Sequence, residues 1–99
     1  MDIQDIQVMI MAHENKKASR EGREMVGDWP YHSLVASVGD LSRLVFMERR
    51  EELRKGKELY KEKVDSLADI LYSVLEVGAV NGITGELLST IVESRIKGE

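Results

Sequence analysis

Apolar residues recur along this chain at intervals of three and four, the period of an α-helix, and nowhere alternate as they would in a strand. Ile3, Ile6, Ile10 and His13 share one stripe, which predicts a first helix from about Asp2 to Glu21 with Gly22 as its stop. "GREMVGDWPYH" reads as a connecting loop. Asp28 or Trp29 caps a second helix that takes Pro30, the single proline, into its first turn. Leu34, Val38, Leu41 and Val45 form its stripe, and it is expected to reach Lys55, with Gly56 ending it. A third helix is expected from about Lys57 to Val80, closed by Asn81 and Gly82 as a left-handed C-terminal signal. Thr84 caps a short fourth helix, "GELLSTIVESRIK", closed by Gly98. The pattern predicts one all-α domain over residues 1–99, a bundle of about four helices.

The third helix carries the most information. Tyr60, Val64, Leu67, Ala68, Ile70, Leu71, Val74, Leu75, Val77, Gly78 and Ala79 cover roughly two-thirds of its circumference at about 100° per residue. A single core in a chain of this size covers about half of that. The remainder calls for a second copy, so a homo-oligomer with closed two-fold symmetry is expected.

What remains on that helix is a narrow polar stripe: Glu62, Asp65, Ser66, Asp69, Ser73 and Glu76. Ser33, Ser37, Asp40, Glu48 and Glu51 form a comparable flank on the second helix, interrupted by Leu44 and Met47. Antiparallel pairing of the two helices would face these flanks across a groove, and acids converging from two helices can hold a hard cation. Each flank contains Ser-x-x-Asp, "SVGD" at Ser37 to Asp40 and "SLAD" at Ser66 to Asp69. The pattern fits a capping box, a solvated face, or an altered pair of carboxylates. Capping conflicts with the earlier start at Pro30 for Ser37. For Ser66 it competes with helical spacing already present through Leu59, Tyr60 and Val64.

Composition narrows the chemistry. A net charge of -4 argues against nucleic acid as a bulk partner, because phosphate backbones demand a basic surface. The absence of cysteine removes disulfides, thiolate metal sites and thiol nucleophiles together. No apolar run reaches the roughly 20 residues of a membrane span, and the N-terminus lacks the basic-then-apolar order of a signal peptide. A cytoplasmic protein with no membrane partner is expected. "MERREELRKGKELYKEK" reads as a solvated hairpin tip, in which Arg49, Arg50, Arg54 and Lys55 are the candidate phosphate contacts. His13 and His32 have no partner at metal-ligand spacing, and there is no phosphate-cradling Gly-rich loop or nucleophile elbow.

"HSLVASVGDLSRLV" followed by "KVDSLADILYSVLEVGAVNGI" resembles the MazG-like all-α nucleoside triphosphate pyrophosphatases over about Pro30 to Ile83. That family carries Glu-x-x-Glu in a run like "EEVGEL" and Glu-x-x-Asp in a run like "EELADVL". Here "ASVGDL" and "DSLADIL" align with them without gaps. The resemblance implies hydrolysis of a nucleoside triphosphate to monophosphate and pyrophosphate, with Mg²⁺ (or Mn²⁺) held by four motif acids in a dimer or tetramer. Those acids fall on Ser37, Asp40, Ser66 and Asp69, so two are replaced by serine. Asp40 and Asp69 are then the catalytic and metal-holding residues, and Asp65, one turn before Asp69, is a candidate replacement ligand. With this reduced set, metal is expected to bind weakly. Two further readings stand beside the enzyme: a non-catalytic relative that senses nucleotides or regulates, and a helical protein-interaction module.

Overall fold

The computed structural model describes residues 1–22, 28–51 and 56–98. It is all-helical there, in the order α1 (Ile3–Glu21), α2 (Trp29–Glu51), α3 (Gly56–Val80) and α4 (Gly85–Lys97). The helix ends follow local chemistry. Asp2 caps α1 in a reciprocal box: its side chain accepts from the Asp5 backbone N–H, and the Asp5 carboxylate accepts from that of Asp2. Gly22 closes α1 at φ 67°, a left-handed conformation that glycine adopts without steric cost. The Asp28 carbonyl accepts from His32 N–H and starts α2 with Pro30 inside its first turn. After α3, Ile83 N–H donates to Gly78 O and Gly82 N–H to Ala79 O, the paired bonds of a Schellman motif. Thr84 Oγ1 accepts from Leu87 N–H and opens α4.

One boundary differs from the sequence expectation. The described part of α2 runs to Glu51, the expected end at Lys55 lies outside the described residues, and Gly56 opens α3 instead of closing α2. Glycine is disfavoured in a helix interior, so it marks a boundary without saying to which of two neighbouring helices it belongs.

Two helices make the backbone of the molecule. α2 packs on α3 alone among the described residues, while α1 lies against α3 and α4. The α2–α3 pair is antiparallel, tied at one end by Asn81 Nδ2 donating to Tyr31 Oη and at the other by Lys63 Nζ on Glu48 Oε2 at 2.6 Å. Their seam has heptad spacing, with Leu34, Ser37, Leu41, Leu44 and Glu48 facing Leu59, Lys63, Ser66, Ile70 and Ser73. α4 turns away from α3 by 116°. No single helix among the described residues is long and apolar enough to cross a membrane.

The core is thin. Leu75 is fully buried, at the level where α1, α2 and the α3–α4 turn meet α3; Pro30 is fully buried too, and Ile10, Ala18, Leu44 and Leu59 are the other buried apolar side chains among the described residues. His13, placed by spacing on the apolar stripe of α1, is exposed, whereas Gln7 and Glu14 are buried. Gln7 explains its own burial: Nε2 donates to Leu75 O and Ile83 O at 3.0 Å each, and Oε1 accepts from Gly85 N–H at 2.8 Å. One carboxamide thereby joins α1, α3 and the start of α4. Gly78 makes room for it, since a Cβ there would stand 3.0 Å from Ile83 O and 3.3 Å from Gln7 Nε2.

Replacing Gln7 with Leu keeps the volume but leaves buried donors and acceptors without their partner. We expect Gln7→Leu to lower the unfolding free energy by about 2–4 kcal/mol. In urea titration the midpoint falls and the slope stays unchanged.

Candidate functional site

Ser37 and Ser66 both lie well inside their helices, so neither is a cap. The two aspartates that follow them are exposed, and the two serines are half-buried in the α2–α3 seam. Helical geometry then places each pair. Asp40 stands about 80° round α2 from the seam and Asp69 about 80° round α3, in the same rotational sense. In antiparallel helices, equal senses fall on the same side of the pair. Asp40 and Asp69 therefore share one face of the hairpin.

The two end ties fix the register along it. Counting inward from Tyr31–Asn81 and Glu48–Lys63, Asp40 lies level with Leu71 and Tyr72, and Asp69 with Ser42 and Arg43. The aspartates are offset by roughly 4 Å along the axes. Across neighbouring helix axes 8–10 Å apart, that puts their Cβ atoms roughly 10 Å from each other. This is near the limit of reach for two aspartates gripping one ion directly, and within reach if a water or a ligand oxygen completes the link. Asp40 is also within 3.6 Å of Arg43 Nη2, an exposed pair on the same helix. Asp65 lies one turn before Asp69, further round α3 and exposed.

Not every anticipated residue joins this face. Ser37 lies level with Val74 and Leu75, and Ser66 with Val45 and Phe46, so the hydroxyls are separated along the seam. Arg49 is exposed on the opposite face of the hairpin from Asp40 and Asp69, because its helical angle matches that of Val38 and Val45. The side chain of Arg50, and Arg54 and Lys55 altogether, lie outside the described residues. Glu48 is half-buried and committed to Lys63, which removes it from the acidic set. Among the described residues, no group of three or more His, Asp or Glu side chains converges as a metal cluster.

One polar contact escaped the sequence reading. Tyr72 Oη donates a short hydrogen bond to the Glu14 carboxylate, between α3 and α1. Glu14 is buried, and so are Ser73 and Glu76, two members of the polar stripe expected on α3. The signal was present in the spacing: Ile3, Gln7, Ile10 and Glu14 follow a heptad, so two polar residues sit on the packing stripe of α1. A groove of about 460 Å³ runs along the other flank of α1, lined by Gln7, Val8, Met11, Ala12 and Asn15 against Ala79 and the Gly82–Thr84 turn. It is mostly apolar, holds no carboxylate and shares no residue with the Asp40–Asp69 face.

No protein-family model, curated protein or solved structure matches this chain significantly.

A hydrogen bond to a buried carboxylate contributes more than one between neutral groups. Tyr72→Phe should therefore destabilise the fold by about 2 kcal/mol, while Tyr60→Phe, at an exposed position of the same helix, should change it by less than about 0.5 kcal/mol. Thermal or urea unfolding of the two variants makes the comparison.

Proposed function

We propose that this protein is a MazG-like nucleoside triphosphate pyrophosphohydrolase with a reduced acidic site, cleaving its substrate to the monophosphate and pyrophosphate. The observation that carries this reading is the shared face and close register of Asp40 and Asp69, the two motif positions that retain an acid. The donor set fits Mg²⁺, a hard cation that keeps several waters and takes one or two carboxylates plus phosphate oxygens. Asp40 and Asp69 would hold it, with Asp65 one turn away as the nearest further carboxylate on α3. When bound, the ion would orient the phosphates and offset charge developing at the α-phosphorus. The aspartates are exposed, so a triphosphate reaches them without opening the core.

A second reading is favoured by the absence of a third converging acid among the described residues. In it the same face binds metal and nucleotide without turnover. Two carboxylates are enough to bind a magnesium–nucleotide complex weakly, while the serines at positions 37 and 66 supply no charge to position a nucleophile.

A panel of ribo- and deoxyribonucleoside triphosphates incubated with Mg²⁺ or Mn²⁺ separates the two readings. The enzyme yields monophosphate and pyrophosphate, and Asp69→Ala or Asp40→Ala lowers kcat/KM by at least about 100-fold. Glu93→Ala, an exposed acid on α4 paired with Lys97, leaves it unchanged. Nucleotide-dependent Mn²⁺ binding that those aspartate variants abolish, without product, establishes the non-catalytic reading. Neither binding nor product from a folded chain refutes both.

A further inference from the structure

Between Trp29 and Glu48 on α2, and between Asp65 and Glu76 on α3, the sequence contains a single lysine or arginine, Arg43. Of the cations just outside these stretches, Lys63 is held by Glu48 and Arg49 lies on the opposite face of the hairpin. Helical geometry puts Arg43 on the face of Asp40 and Asp69, about 60° further round α2 than Asp40. The register set by the two end ties brings it level with Ala68 and Asp69. Arg43 thus sits at the level of one aspartate and one turn from the other, where its Nη2 stands 3.6 Å from Asp40 Oδ1.

The tie to Asp40 is weak. Both side chains are largely exposed, at 66% and 62%, and an exposed ion pair within one helix contributes little. A guanidinium is a better match for phosphate, whose oxygens accept two parallel N–H bonds from its planar fork. The charge balance of the face calls for such a donor. Asp40, Asp65 and Asp69 share it, and a phosphate chain adds several more negative charges than one divalent ion offsets.

We propose that Arg43 is the phosphate contact of this face and couples metal binding to nucleotide binding. The inference rests on the reading of the Asp40–Asp69 face as a metal–nucleotide site. In the unliganded chain Arg43 pairs with Asp40 and sets a positive charge beside a carboxylate that a cation would need, so it opposes a bare ion. In the presence of a phosphate chain Arg43 exchanges Asp40 for phosphate oxygens. Asp40 is released, and the charge that opposed the ion now holds the ion's partner. The face therefore takes metal and phosphate together, each raising the affinity for the other by the same factor. Arg49, on the opposite face, takes no part.

Arg43→Gln tests this, because the two ligands should respond with opposite sign. Mn²⁺ alone should bind the variant about two- to fivefold more tightly, the effect of removing one exposed ion pair. The Mn²⁺–tripolyphosphate complex should bind it at least about tenfold more weakly, the loss of a charge-assisted hydrogen bond. Inorganic tripolyphosphate carries the phosphate chain without a base, and water-proton relaxation reads the bound Mn²⁺. Arg43→Lys, which keeps the charge and loses the fork, should match the wild type on Mn²⁺ alone and fall between the two on the complex. Arg49→Gln should change neither. If wild type and Arg43→Gln bind the complex equally, the assignment is overturned and the Asp40–Asp69 reading stands. A folded Arg43→Gln chain that loses both ligands also overturns it, since Arg43 then only arranges the face. A folded wild-type chain that binds neither Mn²⁺ nor any member of the triphosphate panel removes that reading, and this inference with it.

Discussion

Helix α3 has more apolar surface than the other described helices cover, with Tyr60, Val64, Leu67 and Leu71 exposed, and the rest of the molecule is arranged around that constraint. Its C-terminal half is satisfied within the chain: α2 covers one side, α1 the other, and the α3–α4 turn seals the end around Leu75. On its N-terminal half Tyr60, Val64 and Leu67 remain exposed beside α2. A two-helix layer hides the seam between its helices and leaves both outer faces open. One of those faces is acidic and the other apolar, and this division follows from the sequence stripes once the pairing is antiparallel.

The closed half depends on polar chemistry as much as on packing. A helix end and a tight turn leave backbone groups without intrahelical partners, and burying them unpaired costs about 1–3 kcal/mol each. Gln7 answers that cost at the α3–α4 turn, taking two carbonyls and one N–H with a single side chain. The arrangement requires close approach, which explains small residues at Gly78 and Gly85, where a Cβ would stand about as near to Ile83 O and Ile3 O as real contacts permit. Tyr72 and Glu14 fasten the same two helices further along. The junction is therefore specified by directional bonds, and the open half by apolar stripes that specify only a face.

That difference bears on the candidate site. Asp40 and Asp69 are carried by the open half, on helices whose relative position is set by the seam and its two end ties. Whatever stiffens the hairpin also fixes the separation of the two carboxylates. A cation or phosphate bridging them would add a third tie across α2 and α3, at mid-length, where the hairpin has none between side chains of the acidic face among the bonds described. The roughly 10 Å between their Cβ atoms favours a ligand that brings its own oxygens over a bare ion.

The number and order of the helices, the capping roles of Thr84 and Gly22, the Asn81–Gly82 stop and the rejection of Ser37 as a cap were all legible in the sequence, because each depends on residues within a turn or two; for Ser66 the sequence left capping open. The Ser-x-x-Asp pair could likewise be read as belonging to two helix flanks. Tertiary structure decided what local pattern cannot carry. It put Asp40 and Asp69 on one face and Arg49 on the other, because that outcome depends on the direction and register of a partner helix. It buried Gln7 and Glu14 and exposed His13, because their environment is set by residues more than fifty positions away. It also exposed the stripe from Val64 to Leu71. Periodicity marked that stripe as apolar, but only the packing of α1 and α4 against the far end of α3 determined which part of it the chain covers itself.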